Sequence, residues 1–136
     1  MANVRREALA LAALLATTGT THFLAPRPYD QIVPRALPGS PRTWTYVSGA
    51  AELAVAAALA VPATRRVGGL AAVGLFAAVF PANIKMAYDW RRRPLPQRAG
   101  AYARLPLQAP LIWWALRVAR SARPAGTQAT GPRSIR

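Results

Sequence analysis

The chain has 136 residues, 53% of them hydrophobic, and 18 basic residues against 4 acidic ones give it a net charge of +14. The sequence contains no Cys and a single His. This composition excludes disulfides, thiol catalysis, paired haem ligands and any metal site built only from histidines of one chain. Such a charge is typical of proteins that bind nucleic acid or an anionic membrane. Because the basic residues flank four apolar segments, the lipid bilayer is the predicted partner and nucleic acid is not.

The first apolar segment, residues 8–24, follows Arg5 and Arg6 and is long enough to cross a bilayer. It resembles a signal peptide at its start, but further apolar segments follow it instead of a soluble domain. We therefore interpret it as the first transmembrane helix. Its four threonines are expected to donate hydrogen bonds to carbonyls of the same helix.

Residues 25–43 contain five prolines, which rule out a long helix there. We expect residues 29–33 to form one amphipathic turn at the membrane interface, and the loop to cover the mouth of a polar site. The second predicted helix, residues 44–61, contains Glu52, the only acid inside any apolar segment. A carboxylate at that depth is costly unless it is protonated or paired, so it indicates a functional site.

The third predicted helix, residues 67–86, follows a connection so short that it must lie antiparallel to the second. Its glycines favour close packing, and Pro81 is expected to kink it and to free a carbonyl near Ala77. The fourth helix is predicted at residues 103–119. Residues 121–136 are basic and poor in apolar residues, which predicts a disordered tail.

The predicted fold is therefore an all-α, transmembrane four-helix bundle formed by residues 1–120. Four connected spans make a multi-pass protein of the cell membrane with both termini on the same side. The basic residues divide nine against nine between the two sides, so they do not decide the orientation. Since Arg5 and Arg6 precede the first helix, we expect the termini to be cytoplasmic.

Each predicted helix has one strongly polar side chain in or near its apolar span, and these form the candidate site: His22, Glu52, Asn83 and Gln108. All four are expected in the same half of the membrane, as the lining of a polar pocket around Glu52. Lys85 and Arg104 are possible charge partners of Glu52. The alternative is that these side chains form only interhelical hydrogen bonds that fix the bundle.

Five short motifs in this order resemble the DoxX-like family of small membrane proteins. They are Gly19-x-x-His22-Phe23, Ile32-Val33-Pro34-x-x-Leu37-Pro38, Ser48-Gly49-x-x-Glu52-Leu53, Phe80-Pro81-Ala82-Asn83-Ile84 and Arg104-x-Pro106-x-Gln108. The resemblance covers about residues 18–114. It implies a four-helix integral membrane protein associated with quinone-linked oxidation of sulfur compounds or with membrane-bound redox defence. No thiol is present on which thiosulfate chemistry could be placed.

Three functions follow as hypotheses. The first is an accessory or ligand-binding subunit of a membrane redox assembly, with a quinone as the possible ligand at Glu52. The second is a quinone-linked oxidoreductase subunit in which Glu52 relays protons and a redox protein partner supplies the electrons. The third is a small-solute or proton-coupled transporter, for which four helices leave little room unless the chain forms a homo-oligomer. No motif for a metal, a phosphate loop or a catalytic triad is present.

Overall fold

The structure is a computed structural model that describes residues 2–122, and regular structure within this range is entirely helical. The helices are α1 (Ala2–Leu24), α2 (Pro26–Asp30), α3 (Pro41–Ala60), α4 (Arg65–Asp89) and α5 (Leu95–Ser121). The predicted all-α class is confirmed. Each long helix overlaps one predicted apolar span and is longer than that span, although α3 ends at Ala60, one residue before the predicted end. The predicted tail lies outside the described residues from position 123 onward.

Prolines and their neighbours define where the helices begin. α2 and α3 both begin with a proline, a residue whose fixed backbone angle and missing N–H suit the first helical position. Ser40 caps α3 by accepting the backbone N–H of Thr43 at 3.2 Å. The proline-rich loop therefore contains only the five-residue helix α2, in agreement with the prediction that no long helix forms there.

The turn between α3 and α4 is closed by side chains that satisfy the last carbonyl groups of α3. Arg65 donates to the carbonyl oxygens of Leu59 at 3.0 Å and Ala60 at 3.2 Å, and Thr64 donates to that of Ala58 at 2.9 Å. These carbonyls have no partner within their own helix, and a guanidinium also interacts favourably with a helix C-terminus. The two helices are antiparallel neighbours, as the short connection predicted.

The bundle consists of two parts, which we call leaves. The first leaf is α1, α2 and α3, the second is α4 and α5, and the leaves meet mainly where α3 packs on α4. The end that holds residue 2, the α3–α4 turn and residue 122 is the terminal end; the other is the loop end. Side-chain bonds between the leaves lie at the terminal end: those of Arg65 to α3, and an ion pair at 2.6 Å between Arg117 and Glu7.

The apolar core fills the half of the bundle nearer the terminal end, and alanine is its most frequent residue. Its members include Ala8, Leu11, Ala12, Leu15, Val55, Ala56, Leu59, Ala72, Phe76, Ala115 and Val118. Small residues allow the helices to approach closely. At Gly68 and Gly69 a Cβ atom would come within 2.8 Å of the backbone of Leu59 and Ala119, respectively, so neither position has room for a side chain.

The outer surface of the bundle is also apolar. Every long helix exposes large hydrophobic side chains, among them Leu9, Leu14, Val47, Leu53, Val67, Leu70, Phe80, Ile84, Leu107 and Trp113. In the part of the chain that the structure describes, one helix, α4, is both long and apolar enough to cross a membrane. The polar residues of the candidate site lie on the loop-end side of the apolar core.

Candidate functional site

The site is organised by a close contact between two glycines, Gly19 on α1 and Gly49 on α3. A Cβ atom on Gly49 would lie 2.7 Å from the Cβ of His22 and 3.0 Å from the carbonyl oxygen of Gly19. A Cβ on Gly19 would lie 3.0 Å from the carbonyl oxygen of Gly49. Because glycine has no side chain, the two backbones approach closely here. The residues beside the glycines, Thr18 and His22 on α1 and Glu52 on α3, are thereby brought together.

These three residues form what we call the Glu52 cluster. Glu52 is 8% exposed and His22 is 7% exposed. The hydroxyl oxygen of Thr18 lies 2.5 Å from Oε2 of Glu52, and Nε2 of His22 lies 3.8 Å from Oε1 of the same carboxyl group. The carboxyl group of Glu52 thus has a hydrogen-bond partner on one oxygen and an imidazole facing the other.

The position of His22 determines where its protons lie. Its Nδ1 is 2.8 Å from the backbone carbonyl oxygen of Thr18, which can only accept, so Nδ1 carries a hydrogen. Its other ring nitrogen, Nε2, lies 3.8 Å from Oε1 of Glu52, which is within ion-pair distance but too far for a direct hydrogen bond.

Thr18 can bond to Glu52 either as donor or as acceptor without a change in the backbone. Its hydroxyl lies 2.5 Å from Oε2 of Glu52 and 3.1 Å from the carbonyl oxygen of Leu14. With a carboxylate, Thr18 donates its hydrogen to Glu52. With a protonated carboxyl group, Glu52 can donate to Thr18, and Thr18 can donate to Leu14 instead. Rotation of one hydroxyl group therefore satisfies the carboxyl group in either form.

Tyr29 of α2 covers the cluster at the loop end. Its ring is stacked on the imidazole of His22, with ring centroids 3.8 Å apart and planes inclined by 22°. Its hydroxyl group lies 2.6 Å from that of Thr21, on the next turn of α1. The expected covering of the polar site by the proline-rich loop is thus present, through one aromatic ring.

The neighbouring residue, Asp30, fastens α2 to the first turn of α3 and the turn that follows. Its carboxylate accepts a hydrogen bond from Nε of Arg42 at 2.9 Å and one from the hydroxyl of Thr45 at 2.7 Å, and Nη2 of Arg42 forms an ion-pair contact with it at 2.8 Å. The hydrogen bond from Arg42 is the main cause that holds the pKa of Asp30 below its ordinary value of 3.8, and the bond from Thr45 acts in the same direction.

We expect Asp30→Asn to loosen α2, because the charge that binds Arg42 is removed while the bond from Thr45 can remain. In the wild type the pKa of Asp30 is lower in the folded state, so its stabilising contribution is present above pH 3.8 and is lost as pH falls through the folded pKa. Amide hydrogen-exchange protection of residues 26–33, measured against pH, should show this loss. Asp30→Asn should show low protection of these residues at every pH.

Asp89→Asn is the matched control for this measurement, since it removes a carboxylate from the last residue of α4, which belongs to the other leaf. It should leave the protection of residues 26–33 unchanged. Equal loss of protection in both variants would contradict the fastening role of Asp30.

A second pair of polar residues lies within the other leaf, and we call it the amide pair. Asn83 on α4 donates from Nδ2 to Oε1 of Gln108 on α5 at 3.1 Å, and Gln108 donates from Nε2 to the carbonyl oxygen of Phe76. Pro81 lies inside α4 and has no N–H to offer Ala77, whose carbonyl is next to that of Phe76. The amide pair thus joins α4 to α5 beside the predicted kink. It has no group that titrates.

The predicted site residues therefore meet as two pairs, His22 with Glu52 and Asn83 with Gln108. No hydrogen bond or ion pair between residues 2 and 122 joins one pair to the other. Lys85 forms an ion pair with Asp89, four residues further along α4, while Arg104 is exposed; neither forms an ion pair with Glu52. Within the same range, no three His, Asp or Glu side chains are grouped so that they could hold a metal ion.

Sequence reasoning missed two features of the site, the contact of Thr18 with Glu52 and the pairing of Asp30. Thr18 lies four residues before His22, so helical spacing alone places both on one face of α1 and could have identified it. The pairing of Asp30 with Arg42 and Thr45 joins residues 12 and 15 positions apart across an irregular loop, and no sequence signal predicts it.

A family model matches residues 11–119 of the chain, and its description is domain of unknown function (DUF8561). The matched region includes the Glu52 cluster, the amide pair and the loop that holds Tyr29. No curated protein and no solved structure matches the chain. Since the family model covers most of its length, the chain belongs to the DUF8561 family.

Proposed function

We propose that the protein is a multi-pass membrane protein whose four long helices all cross the bilayer. Large apolar side chains on the outside of every long helix support this proposal. Soluble monomers rarely expose so much contiguous apolar surface, whereas lipid chains are a matching environment for it. Arginines near both ends of the helices suit lipid headgroups, and four antiparallel spans put both termini on one side, which we propose is the cytoplasmic side.

The protein should therefore stay in the membrane pellet after treatment with alkaline carbonate or high salt, and should be released by detergent. Carbonate and salt remove proteins held by charge, but they do not remove apolar helices from lipid. The measurement is an immunoblot of pellet and supernatant beside a known peripheral protein. Release of most of the protein by carbonate would contradict the four-span arrangement.

We further propose that the protein is a ligand-binding or accessory subunit of a membrane redox assembly, and that the Glu52 cluster is its functional site. The observation that carries this proposal is the burial of the Glu52 carboxyl group between His22, at 3.8 Å, and the hydroxyl of Thr18, at 2.5 Å. An intramembrane carboxyl group that served only to hold helices together would be more costly than a neutral amide. The amide pair is an example of that less costly solution in the same protein.

The ligand class we favour is a quinone. A quinone carbonyl accepts a hydrogen bond, and it takes up a proton when the ring is reduced, so it requires a group that can hold and deliver one. The Glu52 cluster can do so, and Thr18 can reorient its hydroxyl when the proton leaves. The chain has no Cys and one His, so electrons would come from a partner protein with its own redox centre.

The resemblance to the DoxX-like proteins belongs to this proposal and is supported by where its motifs lie. The motif containing Gly19 and His22 meets the motif containing Gly49 and Glu52 at the contact between α1 and α3. The motifs that contain Asn83 and Gln108 meet between α4 and α5. Four of the five motifs therefore lie at the two contacts within the leaves.

The test is titration of purified, detergent-solubilised protein with a short-chain benzoquinone, with the rise in the unfolding temperature as the readout. Binding that depends on the Glu52 carboxyl group would support the proposal. Organic extracts of the purified protein should also contain membrane quinone. Absence of quinone from the extract together with no thermal shift would count against this ligand class.

A further inference from the structure

A cavity of about 870 Å³ opens at the loop end, between the two leaves. One side is formed by the loop between α2 and α3, and the other by the end of α4 and the connection to α5. None of the three residues of the Glu52 cluster lines it, so it is a separate feature, which we call the surface cavity.

Positive charge dominates the lining of the surface cavity. It contains four cationic side chains, from three segments of the chain: Arg35, Lys85, Arg91 and Arg93. Its two carboxylates already have partners, because Asp30 is bonded to Arg42 and Thr45, and Asp89 is paired with Lys85. The three arginines have no carboxylate partner between residues 2 and 122. They can therefore attract an anion from outside the chain.

Two of these arginines are held in place by aromatic side chains. The guanidinium of Arg91 lies 3.9 Å from the centroid of the Tyr88 ring, and it donates to the carbonyl oxygen of Tyr88 at 2.6 Å. That of Arg93 lies 5.3 Å from the centroid of the Trp90 ring. Each guanidinium has five N–H donors, so most remain available. Arginines that are already positioned lose less conformational entropy when a ligand binds.

We propose that the surface cavity binds a phosphate-bearing anion. The flat donor array of arginine matches phosphate oxygens, and two or three arginines can share one phosphate group. Trp90, Val33 and Pro41 also line the cavity and offer an apolar wall to whatever carries the phosphate. An anionic phospholipid headgroup and a soluble phosphate compound share this chemistry. Glu52 does not line the surface cavity, so anion binding there does not depend on the proposed quinone binding.

The experiment uses the purified protein in nanodiscs of phosphatidylcholine, with tryptophan fluorescence as the readout. Three probes are titrated: short-chain phosphatidylglycerol, short-chain phosphatidylcholine and inorganic phosphate. We expect saturable binding of at least one anionic probe, with a fluorescence change that is lost in Trp90→Phe. Tight binding of phosphatidylglycerol with weak binding of phosphate would identify a lipid headgroup. Equal binding of both would identify a soluble phosphate compound.

Arg91→Gln and Arg92→Gln form a matched pair of variants, since they remove the same charge from adjacent positions and only Arg91 lines the cavity. Both arginines are exposed, so folding should not depend on either. Arg91→Gln should weaken anion binding about tenfold, the effect of losing one hydrogen bond to a charged group. Arg92→Gln should leave it nearly unchanged.

Three results would overturn the proposal. One is that neither anionic probe binds. Another is that the two arginine variants weaken binding equally, which would mean that the anion responds to a diffuse positive field. The third is that the signal survives in Trp90→Phe, since the anion would then be near one of the other tryptophans.

Discussion

Glu52→Gln should leave the fold intact and weaken quinone binding by about tenfold or more, the effect of losing one hydrogen bond to a charged group. The amide oxygen can accept the hydrogen bond from Thr18, and the amide NH₂ can face Nε2 of His22 as the carboxyl group does. Both contacts survive, so the free energy of unfolding should change by less than about 1 kcal/mol, one ordinary hydrogen bond. The carboxyl group that can hold and release a proton, however, is lost.

The measurement compares quinone titrations and thermal unfolding of the wild type and Glu52→Gln in the same detergent. Glu7→Gln is the matched control, because it makes the same change at the terminal end, where Glu7 is paired with Arg117. The control should bind quinone like the wild type. If Glu52→Gln also binds like the wild type, the carboxyl group is structural and the proposed function fails.

Glu52→Leu separates function from stability in the same series. The substitution removes one partner of a buried pair, which destabilises a protein by about 3–5 kcal/mol where it leaves the other charge uncompensated. Thr18 retains the carbonyl of Leu14 as an acceptor, so its hydroxyl is not left without a partner. A stable Glu52→Leu protein that does not bind quinone would fit the proposal. Unfolding of both Glu52 variants would show that the carboxyl group holds α1 and α3 together.

Gly49→Ala should destabilise the protein by about 1–3 kcal/mol, the usual effect of forcing an extra methyl group into a tight contact. The new Cβ would lie 2.7 Å from the Cβ of His22 and 2.8 Å from the ring of Phe23. To make room, α1 and α3 must move apart. Glu52 lies one helical turn beyond Gly49, so its 2.5 Å contact with Thr18 should be lost as well. Quinone binding should weaken together with stability.

Gly74→Ala is the control for this substitution. Gly74 lies on the exposed side of α4, and a Cβ atom there would meet nothing within 4 Å. Stability should be unchanged or slightly higher, because alanine favours a helix by up to about 1 kcal/mol over glycine. The measurement is thermal unfolding followed by circular dichroism in detergent. Equal stability of the two variants would contradict the close contact at Gly49.

Hydropathy and proline positions predicted the helices well, but they located the helix ends less accurately. An apolar stretch marks only the part of a helix whose side chains are apolar. The helix itself can continue through polar residues, because they also adopt helical backbone angles. α4 therefore runs on to Asp89, and α5 begins at Leu95, within the predicted loop. The threonines of α1 do bond to their own helix, as Thr17 does to Ala13 at 2.8 Å.

The composition of the site was partly predictable, for a geometric reason. Position along a helix fixes the depth at which a side chain is expected, and the structure places His22 and Glu52 3.8 Å apart. Depth does not fix which helices are neighbours, so it could not separate this pair from Asn83 and Gln108. Lys85 could have been assigned to Asp89 from their spacing of four residues on one helix. The close contact at Gly49 depends on how two helices cross, which local sequence does not specify.

The division of the bundle into two leaves has a mechanical consequence. Side-chain bonds across the division lie at the terminal end, where Arg65 and Arg117 join the leaves. At the loop end, among the described residues, each polar contact stays within one leaf. The two leaves could thus move apart at the loop end while they stay joined at the terminal end, which would act as a hinge. Such a movement would widen the surface cavity while the Glu52 cluster and the amide pair stayed whole.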